Sequence, residues 1–148
     1  MSSADIVIAT TGVRGLIQPE MVRRGQIVLA LSNPEPEIEP AVALERGAAL
    51  AADGRSVNNL LAYPGIWRGA LDSGAARVTQ EMLLAATKAL VSQSKPGDLL
   101  PSTLDKGAHA AVAQAVARAA VDGGVARNVL DEDYFETLPA KPGDIPAR

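Results

Sequence analysis

The feature that most constrains the fold of this chain is an apolar run that recurs every 21 residues. The three runs are rich in aliphatic and small residues and span residues 6–9, 27–31 and 48–52. They are continuous rather than alternating, which is typical of strands buried on both faces of a sheet. Gly25 and Gly47 lie just before the second and third runs, where a glycine commonly ends a helix. The repeat therefore predicts parallel strands joined by short helices near residues 18–24 and 38–46.

Three longer helical patterns follow the predicted strands. Their apolar residues recur at helical spacing, and they span residues 64–73, 79–92 and 107–122. Thr79 is a suitable N-cap for the second, and Gly123 and Gly124 end the third. The chain is therefore predicted to be an α/β protein, with a parallel sheet followed by C-terminal helices.

Composition excludes several classes of function. The net charge is −3 and the pI is about 5.1, which argues against nucleic-acid or anionic-membrane partners because both favour a basic surface. The absence of cysteine excludes disulfides, thiolate zinc sites and cysteine nucleophiles, and it suits a reducing cytoplasm. We therefore expect a cytoplasmic protein with no nucleic-acid or membrane partner.

Small hydrogen-bonding residues follow each predicted strand. They are Thr10, Thr11 and Gly12, then Ser32 and Asn33, then Asp53, Gly54, Ser56, Asn58 and Asn59. In open parallel sheets, ligands bind beyond the carboxyl ends of the strands. Taken singly, Asn33 before a proline and the pair Asn58 and Asn59 are also consistent with ordinary turn residues. The agreement of three strand ends favours a binding edge for a ligand with amide, hydroxyl and carboxylate groups.

Two segments resemble malic enzymes. Leu-Ser-Asn-Pro-Glu-Pro-Glu-Ile at 31–38 resembles the asparagine-proline segment of that family, and 54–72 resembles its double-asparagine, proline-glycine and arginine-glycine-alanine-leucine-aspartate signature. The similarity runs from about Ala4 to Arg127. It implies the second half of a Rossmann-like doubly wound parallel sheet. Residues 1–128 would then form a partial NAD(P)-binding domain, and 129–148 a C-terminal arm or disordered tail.

The resemblance also implies an activity and a set of contacts. The family carries out oxidative decarboxylation of L-malate to pyruvate and CO2 with NAD or NADP and a divalent cation, Mg or Mn. By this resemblance Asn33 and Asn58 contact the nicotinamide side of the cofactor, and Asn59 contacts the malate carboxylate. The resemblance also implies that the loop of Thr10, Thr11 and Gly12 lies alongside the dinucleotide. The physical role of such residues is to orient the ring and the substrate for hydride transfer.

The chain departs from the family pattern in two ways. The family's short insertion before the double asparagine is missing between Ser56 and Asn58. The family's N-terminal domain is also missing, and with it the tyrosine and lysine acid–base pair, the metal ligands and the glycine-rich phosphate loop. We therefore expect no catalytic or metal-ligating residue in this chain and no malate turnover by it alone. Manganese-dependent NAD(P)H formation by the purified chain would contradict this expectation.

A second interpretation is a non-catalytic dinucleotide-binding or protein-interaction module. Half of a doubly wound sheet leaves one strand edge unpaired, and such edges recruit partners. This interpretation predicts a homo-oligomer, or a complex with an N-terminal malic-enzyme domain.

Three alternate glutamates offer a possible metal cluster. Glu35, Glu37 and Glu39 are separated by proline and isoleucine. Alternate glutamates among prolines are more often a solvated loop, so we expect these side chains to be exposed and metal-free.

Overall fold

The structure is a computed structural model that describes residues 3–57, 59–96 and 98–136. Its strands are β1 (Ile6–Ala9), β2 (Ile27–Ala30) and β3 (Leu50–Asp53), and its helices are α1 (Pro40–Glu45), α2 (Tyr63–Asp72), α3 (Gln80–Ser92), α4 (Lys106–Asp122) and α5 (Glu132–Glu136). The chain divides into two compact units, which we call the sheet unit (Met1–Asn58) and the helical unit (Asn59–Arg148).

The sheet unit is built on three parallel strands in the order β1-β2-β3. Ile6 pairs with Ile27, which in turn pairs with Leu50. The three strands are therefore in register, and their carboxyl ends lie at one edge of the sheet. Small and branched side chains form the core of this unit, namely Ala9, Ile17, Val28, Ala30, Ile38, Ala43 and Ala48. The predicted α/β fold with a parallel sheet is confirmed.

Two element boundaries in the sheet unit differ from the prediction. A three-residue 3-10 helix, Pro19–Met21, replaces the helix predicted over 18–24. The Arg23 backbone N–H donates to the buried Gln26 side chain at 3.2 Å, so the helix does not continue. β3 begins at Leu50 rather than at residue 48. The Ala48 N–H is used instead in the turn that ends α1, where it donates to the Ala43 carbonyl at 3.1 Å.

The helical unit is organised by a close contact between α2 and α4. Gly65 and Gly69 are buried on the face of α2 that meets α4. A Cβ atom added at Gly65 would lie 2.6 Å from the Val112 Cβ atom, and one added at Gly69 would overlap the Ala113 carbonyl oxygen. Only glycine allows the two backbones to come this close. Around this contact lie the core residues Leu61, Ala70, Met82, Ala86, Leu90, Val112, Val116, Ala120 and Val125.

The helix ends follow the predicted capping chemistry. The Thr79 hydroxyl accepts a hydrogen bond from the Met82 N–H at 3.3 Å and caps α3, as the sequence predicts. α4 has 17 residues and is the longest of the helices in the described ranges. Within those ranges no helix combines the length and the apolar character that crossing a bilayer requires.

The described part of the predicted C-terminal arm contains α5, which packs against α4. The Tyr134 hydroxyl donates to Asp72 Oδ2 at 2.8 Å, and the Gln114 side chain donates to the Tyr134 carbonyl at 2.9 Å. The Arg118 guanidinium lies 3.6 Å from the centre of the Phe135 ring, within the range of a cation–π contact. The predicted boundary after residue 128 stays a prediction, and residues 137–148 lie outside the described part of the chain.

Replacing Asp105 with alanine is expected to destabilise the helical unit by about 1 kcal/mol. Asp105 Oδ1 accepts hydrogen bonds from the Gly107 and Ala108 N–H groups, at 2.9 and 3.1 Å, and so caps α4. Urea unfolding followed by Trp67 fluorescence measures the change. Asp122→Ala is the matched control, because an acidic group at the last residue of α4 opposes the helix dipole. Equal losses in the two variants would contradict the capping role.

Candidate functional site

The candidate site lies at the carboxyl edge of the three-stranded sheet. Thr10, Thr11 and Gly12 follow β1, Ser32 and Asn33 follow β2, and Gly54 follows β3. Because the strands are parallel and in register, these residues emerge at the same edge. The sheet unit therefore gathers these residues at the edge where open α/β folds bind ligands.

A buried glutamate ties the ends of β1 and β2 together. Glu37 has 0% relative exposure, and its Oε1 atom accepts hydrogen bonds from the Thr11 N–H at 2.6 Å, the Thr11 hydroxyl at 2.8 Å and the Ser32 hydroxyl at 2.6 Å. The predicted solvated loop is therefore wrong at Glu37, although Glu35 and Glu39 are exposed as expected. The reason is that the Glu37 carbonyl accepts the Ile17 N–H at 3.1 Å, which holds this segment against the core.

Glu37 remains ionised at neutral pH. Burial by itself raises the pKa of a carboxyl group, but hydrogen bonds from the Ser32 hydroxyl and from Thr11 outweigh it and lower the pKa of Glu37 to about 2. Its second oxygen, Oε2, is also buried and has no hydrogen-bond partner among the described residues.

The backbone donors of the loop after β1 are turned inward. The Gly12 N–H donates to the Ser32 hydroxyl oxygen at 2.8 Å, and the Thr11 N–H donates to Glu37. Gly12 has a φ of +73°, a left-handed conformation that favours glycine and carries the chain out of the strand. All three residues of this loop, Thr10, Thr11 and Gly12, are nevertheless exposed to solvent. The structure thus brings Thr10, Thr11 and Gly12 to the predicted edge, with the donors of two of them occupied.

Asn33 links the ends of β2 and β3. Its side-chain Nδ2 donates to the Gly54 carbonyl at 3.0 Å, which orients the exposed amide. A Cβ atom at position 54 would overlap the Leu31 carbonyl oxygen and lie 2.6 Å from Asn33 Nδ2, so this close approach requires glycine. No hydrogen bond to Asn33 Oδ1 is found within the described ranges, and the Asn33 side chain is exposed.

The loop after β3 is closed by an aspartate turn. Asp53 Oδ1 accepts hydrogen bonds from the Arg55 N–H, the Ser56 N–H and the Ser56 hydroxyl, at 3.2, 3.0 and 2.8 Å. Burial raises the pKa of Asp53, but the bonds from Ser56 and Arg55 outweigh it, so the pKa is lowered overall. This turn orders the chain up to residue 57.

The double asparagine is only partly described. Asn58 lies outside the described residues, and its predicted cofactor contact stays a prediction. Asn59 is exposed in the helical unit, where its carbonyl accepts the Tyr63 N–H at 2.8 Å just before α2. Thr10, Thr11, Gly12 and Asn33 are therefore the predicted site residues that the structure places together.

Sequence reasoning missed Glu37 at this edge; it placed Ser32 there, but not the hydrogen bond that Ser32 donates to Glu37. One signal was present, because Glu37 stands between Pro36 and Ile38, and all three are buried. A charged residue between two buried apolar residues indicates a carboxylate that is held inside by hydrogen bonds.

Two curated relatives of this chain are malic enzymes. The chain is 58% identical over 121 residues to NAD-dependent malic enzyme 1 of Bacillus subtilis, covering 82% of this chain and 28% of that protein. It is 40% identical over 164 residues to the NADP-dependent malic enzyme of Salmonella typhimurium, covering 91% of this chain and 22% of that protein.

Two solved malic enzyme structures are similar to this chain in sequence and in fold. The malic enzyme of Pyrococcus horikoshii superposes with a TM-score of 0.78 at 39% identity, covering 90% of this chain and 34% of the other. The malic enzyme of Entamoeba histolytica gives a TM-score of 0.80 at 31% identity, covering 91% and 31%. The matched segment therefore spans between 22% and 34% of the length of these four proteins. Residues 2–121 match the family model described as "Malic enzyme, NAD binding domain", and the chain belongs to that family.

Proposed function

We propose that this chain supplies the nicotinamide side of an NAD(P) site in an oxidoreductase that converts L-malate to pyruvate and CO2. The observation that carries this proposal is Asn33, whose amide is oriented by the Gly54 carbonyl at the carboxyl edge of a parallel sheet. The proposed cofactor contacts are Thr10, Thr11, Gly12, Asn33 and Asn58. Asn59 is the proposed contact for the malate carboxylate.

The described residues at this edge suit the nicotinamide group. That group carries a carboxamide, which offers an NH2 donor and a carbonyl acceptor. Asn33 uses one amide hydrogen on the Gly54 carbonyl and keeps Oδ1 and its second hydrogen for a ligand. The dinucleotide supplies the hydride-accepting chemistry when bound, and the chain holds and orients it.

A divalent cation is not assigned to the described residues. Within 3–57, 59–96 and 98–136, no group of three or more histidine, aspartate or glutamate side chains is placed to hold a metal ion. In this proposal the Mg or Mn of the family therefore takes its ligands from outside those ranges.

The same proposal places the protein in the cytoplasm. The chain has no cysteine, which suits a reducing compartment, and its net charge is −3.

Replacing Asn33 with alanine is expected to weaken NADH binding by about tenfold, the value of one well-oriented hydrogen bond. Titration of the purified chain with NADH, followed by the nucleotide's own fluorescence, measures the change. Gln18→Ala is the matched control, because Gln18 is also an exposed amide that donates to a loop carbonyl, that of Gly15 at 2.6 Å. Equal affinities for the two variants, or no binding by the unaltered chain, would contradict the proposal.

A second candidate function is a non-catalytic module that pairs with another protein. β1 lies at the edge of the described sheet, and its Ile6 and Ile8 side chains are 56% and 65% exposed on one face. An edge strand with exposed apolar side chains favours strand addition or oligomerisation. The partner in this proposal is a second copy of the chain or an N-terminal malic-enzyme domain.

Light scattering with and without a separately produced N-terminal malic-enzyme domain tests this second function. We expect the unaltered chain to form a dimer, or a heterocomplex when the domain is added. The double variant Ile6→Lys, Ile8→Lys is expected to form neither, because burying lysine ammonium groups is costly. Leu44→Lys, at an exposed leucine of α1, is the control for a general change in surface charge. A chain that stays monomeric and does not bind the added domain would exclude this second function. Malate-dependent NAD(P)H formation in the mixture would favour the enzyme proposal.

A further inference from the structure

Glu37 is a buried charge without a cationic partner among the described residues. Its side chain is fully buried, and the ion pairs of the described residues involve other acids. Removing a carboxylate from water is costly unless hydrogen bonds replace its hydration. Here the compensation comes from Thr11 and Ser32, through the three hydrogen bonds that converge on Oε1. The charge is therefore tied to the two loops that border the candidate site.

The carboxylate also sets the direction of the hydrogen bonds around it. An ionised carboxylate only accepts, so the Ser32 hydroxyl must donate to Glu37 and its oxygen is left to accept from the Gly12 N–H. The Thr11 hydroxyl likewise donates to Glu37 and accepts the Val13 N–H at 3.3 Å. The three donors to Oε1 point towards the buried carboxylate, and the chain of bonds from Gly12 through Ser32 to Glu37 is strengthened by polarisation.

From this network we propose that Glu37 is a positioning residue, which fixes the loops after β1 and β2 with their donors inward and so selects an uncharged ligand group. The inference rests on the proposed function and adds a residue that decides which part of the dinucleotide this edge takes. At a strand end, phosphate groups are commonly bound by backbone N–H donors, and those of Thr11 and Gly12 are occupied. The acceptors that remain, including Asn33 Oδ1, suit the amide and hydroxyl donors of a nicotinamide riboside group.

The first part of the test uses the ligand-free chain. Amide NMR signals of Thr11 and Gly12 are compared in Glu37→Gln and in the matched control Glu39→Gln, which makes the same change at an exposed position of the same segment. We expect Glu37→Gln to shift both signals upfield and to speed their hydrogen exchange by at least about tenfold, because a charged acceptor binds more tightly than a neutral one. Signals identical to those of Glu39→Gln would overturn the proposal.

The second part measures ligand choice with two probes, nicotinamide mononucleotide and inorganic pyrophosphate. We expect the first probe to shift the Asn33 side-chain amide in the unaltered chain and the second to leave it unmoved. Glu37→Gln is expected to bind the mononucleotide about tenfold more weakly than Glu39→Gln does. An unchanged mononucleotide affinity, or a preference for pyrophosphate in the unaltered chain, would overturn the selecting role.

A milder pair of variants covers the case in which Glu37→Gln does not fold. Thr11→Val removes one of the three bonds to Oε1, and Thr11→Ser retains it. We expect Thr11→Val to lose less mononucleotide affinity than Glu37→Gln does, and Thr11→Ser to retain the affinity of the unaltered chain. Equal behaviour of the two would overturn the proposal. Failure of the unaltered chain to bind any nucleotide would refute the proposed function, whereas the free-chain amide signals would still decide whether Glu37 positions the loops.

Discussion

Replacing Gly69 with alanine is expected to destabilise the helical unit by about 3 kcal/mol. Two effects oppose each other at this position. Alanine raises the helix propensity of α2 by about 0.5 to 1 kcal/mol. The added methyl group, however, would overlap the Ala113 carbonyl oxygen and lie 2.9 Å from Val116 Cβ and 3.0 Å from the Ala117 nitrogen. Two of these three atoms belong to the α4 backbone, which cannot move aside as a side chain can, so the clash outweighs the propensity.

Urea unfolding followed by Trp67 fluorescence measures the effect of Gly69→Ala. Gly107→Ala is the matched control, because Gly107 is also a helical glycine but its nearest neighbour is the Asp105 side chain at 3.2 Å. That side chain can shift, so the control is expected to change the free energy of unfolding by less than about 1 kcal/mol. A Gly69→Ala variant as stable as the unaltered chain would show that α2 and α4 do not approach as closely as described.

The sheet unit is expected to lose stability as the pH falls from about 4.5 to about 2. The pKa of Glu37 is lowered from 4.5 to about 2 in the folded chain, so folding favours the ionised form. A group of this kind contributes its full stabilisation above its unfolded pKa and loses it as the pH falls through the interval to the folded pKa. Glu37→Gln is expected to lose about 2 kcal/mol at neutral pH and to flatten this pH dependence.

Far-UV circular dichroism of urea unfolding at several pH values measures the acid response of the sheet unit. Asp53 also has a lowered pKa and contributes in the same direction, so the informative quantity is the difference between the variant and the unaltered chain. Glu39→Gln, at an exposed position, should retain the full pH dependence. The role assigned to Glu37 fails if Glu37→Gln and the unaltered chain lose stability in parallel between pH 4.5 and 2.

The three strands and helices α1 to α4 were predictable from local patterns, whereas the helix expected over 18–24 is a short 3-10 helix and α5 was not predicted. The continuous apolar runs predicted β1, β2 and β3, although the expected burial of both faces is wrong for β1, whose Ile6 and Ile8 are exposed. Thr79 predicted the start of α3 because a capping residue acts on its own next turn. The exact start of β3 was not predictable, since it depends on the Ala48 N–H bonding back to α1 rather than on the apolar character of residue 48.

The candidate site was predictable only in outline. Strand ends identified the positions of Thr10, Thr11, Gly12 and Asn33, because ligand position in a parallel sheet follows from topology. Glu37 was missed, since its burial arises from hydrogen bonds to residues 5 and 26 positions away in the sequence. The roles of Gly65 and Gly69 likewise depend on where α4 crosses α2, which no local pattern reveals.

The aromatic residues of this chain all lie in one of its two units. Its single tryptophan, two tyrosines and single phenylalanine are Trp67, Tyr63, Tyr134 and Phe135, all after residue 58. Trp67 is about half exposed and lies edge-on to Tyr63 with ring centres 5.9 Å apart. Emission and near-ultraviolet spectra of this protein therefore monitor the melting of the helical unit directly. A thermal transition seen only in the far ultraviolet would belong to the sheet unit, which carries the candidate site.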